Sequence, residues 1–171
     1  MSQVCHSRII EDLYLGRLRK GKPVAPAALT RFRLNIAEHT VAGQRLADDD
    51  VELPRINYCR CNERPYRYVW GTANGPSGWI EQVVKIDTRN GATLSWSEPH
   101  CYAGEPVFVA RPDAGEEDEG VLLSIVLDAA SERSFLLVLD AGDLSEIARA
   151  EVPHHIPFGF HGQFAAAPPS A

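Results

Sequence analysis

The sequence of 171 residues lacks the features that would direct it to a membrane or to a nucleic acid. No apolar run approaches the roughly 20 residues that a membrane helix needs. The first residues, M-S-Q-V-C-H-S-R, contain no apolar segment of a secretion signal. The net charge is -6 and no basic stripe is present, so a nucleic acid is not expected as a partner. The length predicts one domain with a core of its own.

The sequence has few cysteines, and their spacing shows no disulfide framework. The four are Cys5, Cys59, Cys61 and Cys101, and no C-x-x-C pair occurs among them. A reducing compartment suits such thiols best, which favours a cytoplasmic location. Cys59-Arg-Cys61 has the composition of a metal clip, but free buried or edge thiols are the simpler interpretation.

Helical periodicity is almost absent, and an all-β fold is therefore predicted. Short apolar alternations are bounded by turn residues, beginning with an alternating run over Ile9–Arg19. Asn90-Gly91 is a strong hairpin signal because glycine tolerates a positive φ angle. Asp128 to Arg133 and Asp140 to Leu144 are predicted to be connections of the same kind. The predicted strands are Thr30–Leu34, Val41–Leu46, Val51–Tyr58, Tyr66–Thr72, Trp79–Asp87, Ala92–Ser97, Pro106–Arg111, Val121–Asp128, Ser134–Asp140, Glu146–Val152 and Phe158–Phe164.

These strands recur with a period of about 53 residues. Leu34, Ile86 and Leu139 each end an apolar strand before a polar turn, and Glu52 and Glu105 each precede a strand entered through proline. Four short strands in about 50 residues are typical of a β-propeller blade. Residues 1–164 then hold about three blades of antiparallel four-stranded sheet. Because a propeller needs about four blades to close, we expect them to be part of a larger propeller, with residues 165–171 as a disordered tail.

His161 is the candidate metal ligand, since neutral imidazole is the commonest protein ligand of first-row metals. It lies between Phe160 and Gly162 near the end of the chain. If the proline-entered strands line the axis of the propeller, His161, Glu105 and Glu52 approach one cavity. Glu105 is then predicted to accept the N–H of the His161 ring, and Glu52 to do the same for a histidine outside this chain. The alternatives are a hydrogen-bonded core histidine, and glutamates that lie at strand ends or bond to the backbone.

Several motifs together resemble the C-terminal part of the carotenoid cleavage oxygenases over about residues 9–164. They include E-L-P-R-I-N-Y, R-P-Y-R-Y-V-W-G, F-L-L-V-L-D-A-G-D-L-S-E-I and P-F-G-F-H-G-Q-F. The resemblance implies a seven-bladed propeller whose axial ferrous iron is held by four histidines, three of them supported by glutamates. It makes His161 the last iron ligand, Glu105 its supporting glutamate, and Glu52 the glutamate of the preceding iron histidine. The remaining histidines match no ligand position: His6, His39, His100, His154 and His155.

The resemblance also implies the reaction. A non-haem Fe(II) dioxygenase of this kind cleaves one C=C bond of a carotenoid or apocarotenoid with dioxygen and releases two carbonyl products. The chain alone contains one of the four expected ligands, so a C-terminal fragment is expected to be inactive by itself. The full-length protein is expected to contact membranes peripherally. The alternatives are a non-catalytic, kelch-like binding module, and a retinoid isomerase that uses the same iron.

Two further expectations concern side chains near these motifs. Phe158, Phe160 and Phe164 either wall the substrate channel or pack in the core. If the segment is a strand, Phe160 and His161 point to opposite faces, and at most one faces the metal. The acidic run over residues 116–119 is interpreted as a solvated loop rather than a calcium site.

Overall fold

The computed structural model describes residues 2–5, 9–12, 14–22 and 24–166, and its regular structure is almost entirely antiparallel sheet. The prediction of an all-β fold is therefore confirmed. The helices are α1 (Ile9–Asp12), α2 (Leu15–Leu18) and α3 (Tyr58–Cys61). The strands are β1 (Ser2–Cys5), β2 (Ala28–Asn35), β3 (Thr40–Asp50), β4 (Glu52–Arg55), β5 (Tyr68–Asn74), β6 (Ile80–Asp87), β7 (Thr93–Ser97), β8 (Cys101–Ala103), β9 (Val107–Ala110), β10 (Gly120–Asp128), β11 (Arg133–Asp140) and β12 (Glu146–Glu151).

The strands form three consecutive sheets along the chain. The first sheet has the order β1-β2-β3 and the second the order β4-β5-β6-β7. The third sheet has the order β12-β11-β10-β8, and β9 also pairs with β10 beside β8. Its inner edge is thus one strand interrupted between residues 103 and 107. About three blades are present as predicted, although only the second sheet has four separate strands, and the described residues do not close into a ring.

The hydrogen-bond registers repeat from sheet to sheet. The three residues that define the period each pair with the residue seven positions further on: Leu34 with Val41, Ile86 with Thr93, and Leu139 with Glu146. The other neighbour repeats too, because Val69 pairs with Ile86 and Leu122 pairs with Leu139. The period read from the sequence is therefore a structural repeat of whole hairpins.

Apolar side chains hold neighbouring sheets face to face. Leu29 and Val51 pack with Ile86 between the first and second sheets, and all three are fully buried. Between the second and third sheets the largest buried side chain is Trp70, which stacks on Phe108 with ring centroids 4.6 Å apart. The Trp70 indole N–H donates to the carbonyl oxygen of Ala141 at 3.0 Å, so its one polar group is satisfied.

The predicted hairpin at Asn90-Gly91 is confirmed. Gly91 has a φ angle of +73°, and its N–H donates to the carbonyl oxygen of Asp87 at 2.8 Å. The other two predicted turns also place one residue in the left-handed region, Glu132 at φ 55° and Leu144 at φ 63°. These turns use residues that pay a steric cost there, whereas glycine does not.

Sequence patterns did not predict every element near the start and middle of the chain. The alternating run within Ile9–Arg19 does not form a strand, and the segment contains α1 and α2. The strand predicted over Val51–Tyr58 ends at Arg55, because the Asn57 side chain accepts the N–H of Arg60 and begins α3. The short strands β1 and β8 were not predicted. All three helices are single turns, so within the described ranges none approaches the length or apolarity of a membrane span.

The predicted strand over Phe158–Phe164 was also wrong, because residues 152–166 form no strand. Pro153 and Pro157 lack the N–H that a ladder needs, and Gly159 and Gly162 add backbone freedom. The expectation that Phe160 and His161 face opposite ways falls with the strand. The tail predicted over 165–171 lies mostly outside the described residues and stays a prediction.

The acidic run over residues 116–119 is a loop before β10 as predicted, but two of its side chains bind the second sheet instead of being solvated. The carboxylate of Glu117 accepts the backbone N–H groups of Arg67 at 2.9 Å and Tyr68 at 2.8 Å. Asp118 pairs with the buried ammonium group of Lys85. The expectation of solvation was wrong for Glu117 and Asp118, because composition shows the charge of a loop but not which groups of a neighbouring sheet will bind it.

Gly71 offers a test of how closely the second sheet approaches its own edge strand. A Cβ atom at Gly71 would lie 2.6 Å from Val51 Cγ2 and 2.7 Å from the carbonyl oxygen of Glu52. A backbone oxygen cannot move aside cheaply, so we expect Gly71→Ala to lower the free energy of unfolding by about 1–3 kcal/mol, measured by denaturant titration.

Gly16→Ala in α2 is the matched control, because nothing lies within 4 Å of its added Cβ. That variant should be neutral or more stable by about 0.5–1 kcal/mol. Equal stability of Gly71→Ala and the wild type would show that β4 is not held this close to β5.

Candidate metal centre

His161 and Glu105 are in contact. The Nδ1 atom of His161 lies 3.1 Å from Oε1 of Glu105. The Glu105 side chain is 5% exposed, whereas the His161 side chain is 63% exposed and lies on the wall of a cavity. The two side chains named from the sequence are thus adjacent, and their roles at a metal stay a prediction.

Glu105 lies at the interruption between β8 and β9, and the local sequence explains this position. Gly104 donates its N–H to the carbonyl oxygen of Ile125 at 2.9 Å, and a Cβ atom at Gly104 would come within 2.9 Å of that same oxygen. Pro106 then has no N–H to continue the ladder. Glu105 therefore lies outside the regular strands, between β8 and β9, and its side chain contacts residues 161–162.

Four donors surround the Glu105 carboxylate. Oε1 accepts from Nε of Arg55 at 2.9 Å and faces His161 Nδ1, and Oε2 accepts from Nη2 of Arg55 at 2.9 Å and from the Gly162 N–H at 2.9 Å. Burial by itself would raise the pKa of Glu105. The hydrogen bonds from Arg55, Gly162 and His161 outweigh burial and lower that pKa below its ordinary value.

An ionised Glu105 decides which nitrogen of His161 is available. A carboxylate can only accept hydrogen bonds, so Nδ1 of His161 carries the proton and donates a hydrogen bond to Glu105. The Nε2 atom then keeps its lone pair for a metal ion. A carboxylate that holds the second nitrogen of a metal-binding imidazole is the usual arrangement at such sites.

Glu52 is buried without a complete set of partners. It is 5% exposed, and among the described residues its Oε1 atom has no hydrogen-bond partner. Burial, with a smaller contribution from the nearby Asp50, raises the pKa of Glu52 to about 7. It begins β4, and Leu53 follows at a φ angle of +49°. A donor from outside these residues would satisfy the free oxygen, which fits the predicted role of Glu52 without testing it.

No other described residue joins His161 as a ligand. Within the described ranges no three His, Cys, Asp or Glu side chains are close enough to hold a metal ion. His39 and His100 have φ angles of +52° and +64° in exposed turns, and His154 and His155 are exposed after β12. His6 lies outside the described residues. Cys59, Cys61 and Cys101 are free thiols.

An apolar cavity of about 430 Å³ adjoins His161 and Glu105. Trp79, Tyr102 and Phe158 form a three-ring cluster on its wall, with centroids 5.6 to 6.1 Å apart. The Phe160 ring meets the His161 ring edge to face, with centroids 4.5 Å apart. Phe158, Phe160 and Phe164 line this cavity and are 51%, 71% and 49% exposed, so they do not pack in the buried core, and their place in a substrate channel stays a prediction.

Sequence reasoning missed Arg55, Trp79 and Tyr102. Arg55 and Glu105 are 50 positions apart and belong to neighbouring sheets. The period places Glu52 and Glu105 at equivalent points of neighbouring edges, but it gave no signal that Arg55 would meet Glu105. For Trp79 and Tyr102 the only signal was their aromatic character.

Comparison with known proteins gives one consistent result. The family described as retinal pigment epithelial membrane protein matches residues 1–166. A carotenoid-cleaving dioxygenase of Mustela putorius furo, named mitochondrial, is 44% identical over 67% of this chain and 21% of its own length. The apocarotenoid-15,15'-oxygenase of Synechocystis is 38% identical over 82% of this chain and 30% of its own length.

Solved structures agree with these relatives. A cobalt-substituted Synechocystis apocarotenoid oxygenase superposes with a TM-score of 0.78 at 36% identity, covering 84% of this chain and 31% of that one. The chain therefore spans between about a fifth and a third of the length of the proteins it matches.

The raised pKa of Glu52 predicts a pH-dependent stability of the 171-residue chain. Between its ordinary pKa of 4.5 and about 7, the folded state holds a proton that the unfolded state has released. The contribution of Glu52 to stability is therefore greatest below pH 4.5 and is lost as the pH rises through 7. Glu52→Gln mimics the protonated acid, so we expect it to be only slightly more stable than the wild type at pH 5 and more stable at pH 8, by on the order of 1–3 kcal/mol.

Denaturant titrations at the two pH values measure this difference. Glu151→Gln, which removes an exposed carboxylate of β12, is the control and should show no such divergence. An equal effect of Glu52→Gln at pH 5 and pH 8 would mean that Glu52 is ionised in the folded chain, and would contradict the expectation.

Proposed function

We propose, from the premise that this chain belongs to the family of the retinal pigment epithelial membrane protein and the carotenoid cleavage oxygenases, that it is part of a non-haem Fe(II) dioxygenase. The substrate would be a carotenoid or apocarotenoid, cleaved at one C=C bond into two carbonyl products. Relatives named for carotenoid and apocarotenoid cleavage support this substrate class.

One observation carries the proposal of a metal site: a buried, ionised Glu105 fixes an exposed imidazole through Nδ1. His161 lines an apolar cavity, and its Nε2 atom is left without a proton. Imidazole nitrogen suits iron as a ligand. The residues present thus fit one of the positions around a ferrous ion, which His161 would hold. The cobalt-substituted relative shows that a first-row metal is accommodated in that protein.

The chain's own residues have definite tasks in this proposal. A bound ferrous ion would supply the redox chemistry that dioxygen needs in order to react with an alkene. Glu105 keeps the proton on Nδ1 of His161, so the ring presents its neutral nitrogen. Trp79, Tyr102 and Phe158 provide a dry apolar wall against which a polyene can lie. The substrate is held by burial and shape, because it has few polar groups to bind.

Ligand number limits what the chain does alone. The described residues offer one imidazole and no cluster of three ligands. Ligand number and geometry set metal affinity, so one imidazole does not retain ferrous iron. We expect the remaining ligands from further residues of the complete gene product, and no turnover from residues 1–171 alone. A peripheral membrane contact and a cytoplasmic location stay predictions.

His161→Ala tests the proposal in protein expressed from the complete gene. We expect the wild type to contain about one iron per protein and to convert β,β-carotene or an apocarotenoid to two carbonyl products that carry label from ¹⁸O₂. His161→Ala should lose the iron and the activity, because a ligand is removed. Iron is measured by mass spectrometry and products by chromatography.

His155→Ala is the matched control, since it removes an exposed imidazole six positions away in the same segment. It should keep both iron and activity. Iron-free wild-type protein would favour the non-catalytic binding module. A rearranged alcohol in place of two carbonyl products would favour the isomerase.

A further inference from the structure

The segment that bears His161 has few polar attachments. Residues 157–166 form no strand, and within the described ranges their hydrogen bonds all go to two side chains, Arg55 and Glu105. The preceding residues are tied to Ser134, whose hydroxyl accepts the N–H of Ile156 at 2.9 Å. From Pro157 onward the backbone leaves the third sheet. The polar contacts that position the His161 ring therefore come from Arg55 and Glu105.

Arg55 contacts both of the groups that fix this segment. Its Nε and Nη2 atoms donate to the two carboxylate oxygens of Glu105, both at 2.9 Å, and Nη2 also donates to the carbonyl oxygen of Gly162 at 2.6 Å. Glu105 in turn accepts the N–H of Gly162. Arg55, Glu105 and Gly162 thus form a closed ring of hydrogen bonds next to His161.

This ring joins two sheets to the segment that neither sheet contains. Arg55 ends β4 of the second sheet, and Glu105 lies in the edge break of the third. The side chains are only 24% and 5% exposed, so water competes weakly for them. Paired, bidentate bonds between a guanidinium and a carboxylate are strong and fix the orientation of both groups. Without Arg55, the carboxylate would lose two of its four donors and could rotate away from His161.

We propose that Arg55 is a positioning residue of the metal centre, which orients His161 through Glu105 and through the Gly162 carbonyl. The role rests on the proposed function for its consequence at iron, but the orientation itself belongs to the metal-free protein. Arg55 touches neither the cavity nor the imidazole. It acts by holding the Glu105 carboxylate in the one orientation that accepts the Nδ1 proton and the Gly162 N–H together.

The geometry requires arginine rather than any cation. Three acceptor atoms on two residues are reached by one planar fork. Lysine supplies a point charge on a flexible stem and cannot match three directions in that plane. Arg55→Lys should therefore retain the charge pair but lose part of the orientation.

Iron affinity and the His161 tautomer test the role in protein from the complete gene. Loss of a group that supports a metal-binding imidazole typically weakens metal affinity about 10- to 100-fold. We expect that range for Arg55→Ala and a smaller loss for Arg55→Lys in metal-buffered titrations with ferrous iron. In the metal-free proteins, ¹⁵N spectra of labelled histidine should show His161 protonated at Nδ1 in the wild type and a mixture of tautomers in Arg55→Ala. His161→Ala assigns the signal.

Chemical rescue separates positioning from general destabilisation. Methylguanidinium added to Arg55→Gly should restore the Nδ1 tautomer and part of the iron affinity, because it can refill the space beside Glu105. Arg67→Ala is the matched control: Arg67 bonds Asp87 through Nε at 2.9 Å and Nη2 at 2.6 Å, away from the cavity. It should leave the His161 tautomer and iron affinity unchanged, and methylguanidinium should have no effect on it.

The outcomes separate this role from the proposed function. A wild type without iron overturns the dioxygenase proposal, and the tautomer measurement still decides the orienting role. An unchanged His161 tautomer in a folded Arg55→Ala protein overturns the positioning role, even if iron is bound. Equal losses in Arg55→Ala and Arg67→Ala would reduce Arg55 to a structural ion pair, and would equally overturn it.

Discussion

The buried carboxylate of Glu105 is the group on which the candidate site depends. An ionised side chain that is 5% exposed is costly unless every lone pair finds a donor. Arg55, Gly162 and His161 supply those donors from the neighbouring sheet and from the segment after β12. Because its hydrogen-bond donors come from two places, the Glu105 carboxylate joins β4 to the segment after β12, which no strand pairing connects. The same donors that stabilise Glu105 also determine which nitrogen of His161 is exposed.

An interruption in the edge of the third sheet makes this arrangement possible. Gly104 still donates its N–H to Ile125, but Pro106 has no N–H to continue the ladder, and Glu105 lies at this interruption between β8 and β9. The prolines and glycines after β12 likewise keep residues 152–166 out of the ladder. Regular strands supply the rigid, well-packed frame around Trp70, and the irregular stretches at its edge carry the polar groups that can do chemistry.

Local patterns predicted the frame well, and long-range partners poorly. Alternation, turn residues and the period of about 53 residues were sufficient for most strands, the hairpin at Gly91 and the adjacency of His161 and Glu105. The pairing of Arg55 with Glu105 and with Gly162 spans 50 and 107 positions, and no local pattern records such a distance. The solvation expected of the acidic run was wrong for the same reason, because Glu117 accepts hydrogen bonds from backbone N–H groups of the second sheet. A propeller repeat says which positions are equivalent, but it does not say which side chains from neighbouring repeats will meet.

Glu52 and Glu105 show how hydrogen-bond partners outweigh burial at one carboxylate of this fold and not at the other. The two stand at equivalent points of the repeat, and Glu52 is the more buried residue; the pKa of Glu105 is lowered and that of Glu52 is raised to about 7. Glu105 meets an imidazole 56 positions further along the chain. The same offset from Glu52 leads to Phe108, whose ring stacks on Trp70 and has no N–H to donate. The repeat therefore provides Glu52 with a position equivalent to that of Glu105 but not with the same donor, and its unbonded oxygen marks where a donor from outside these residues would bind.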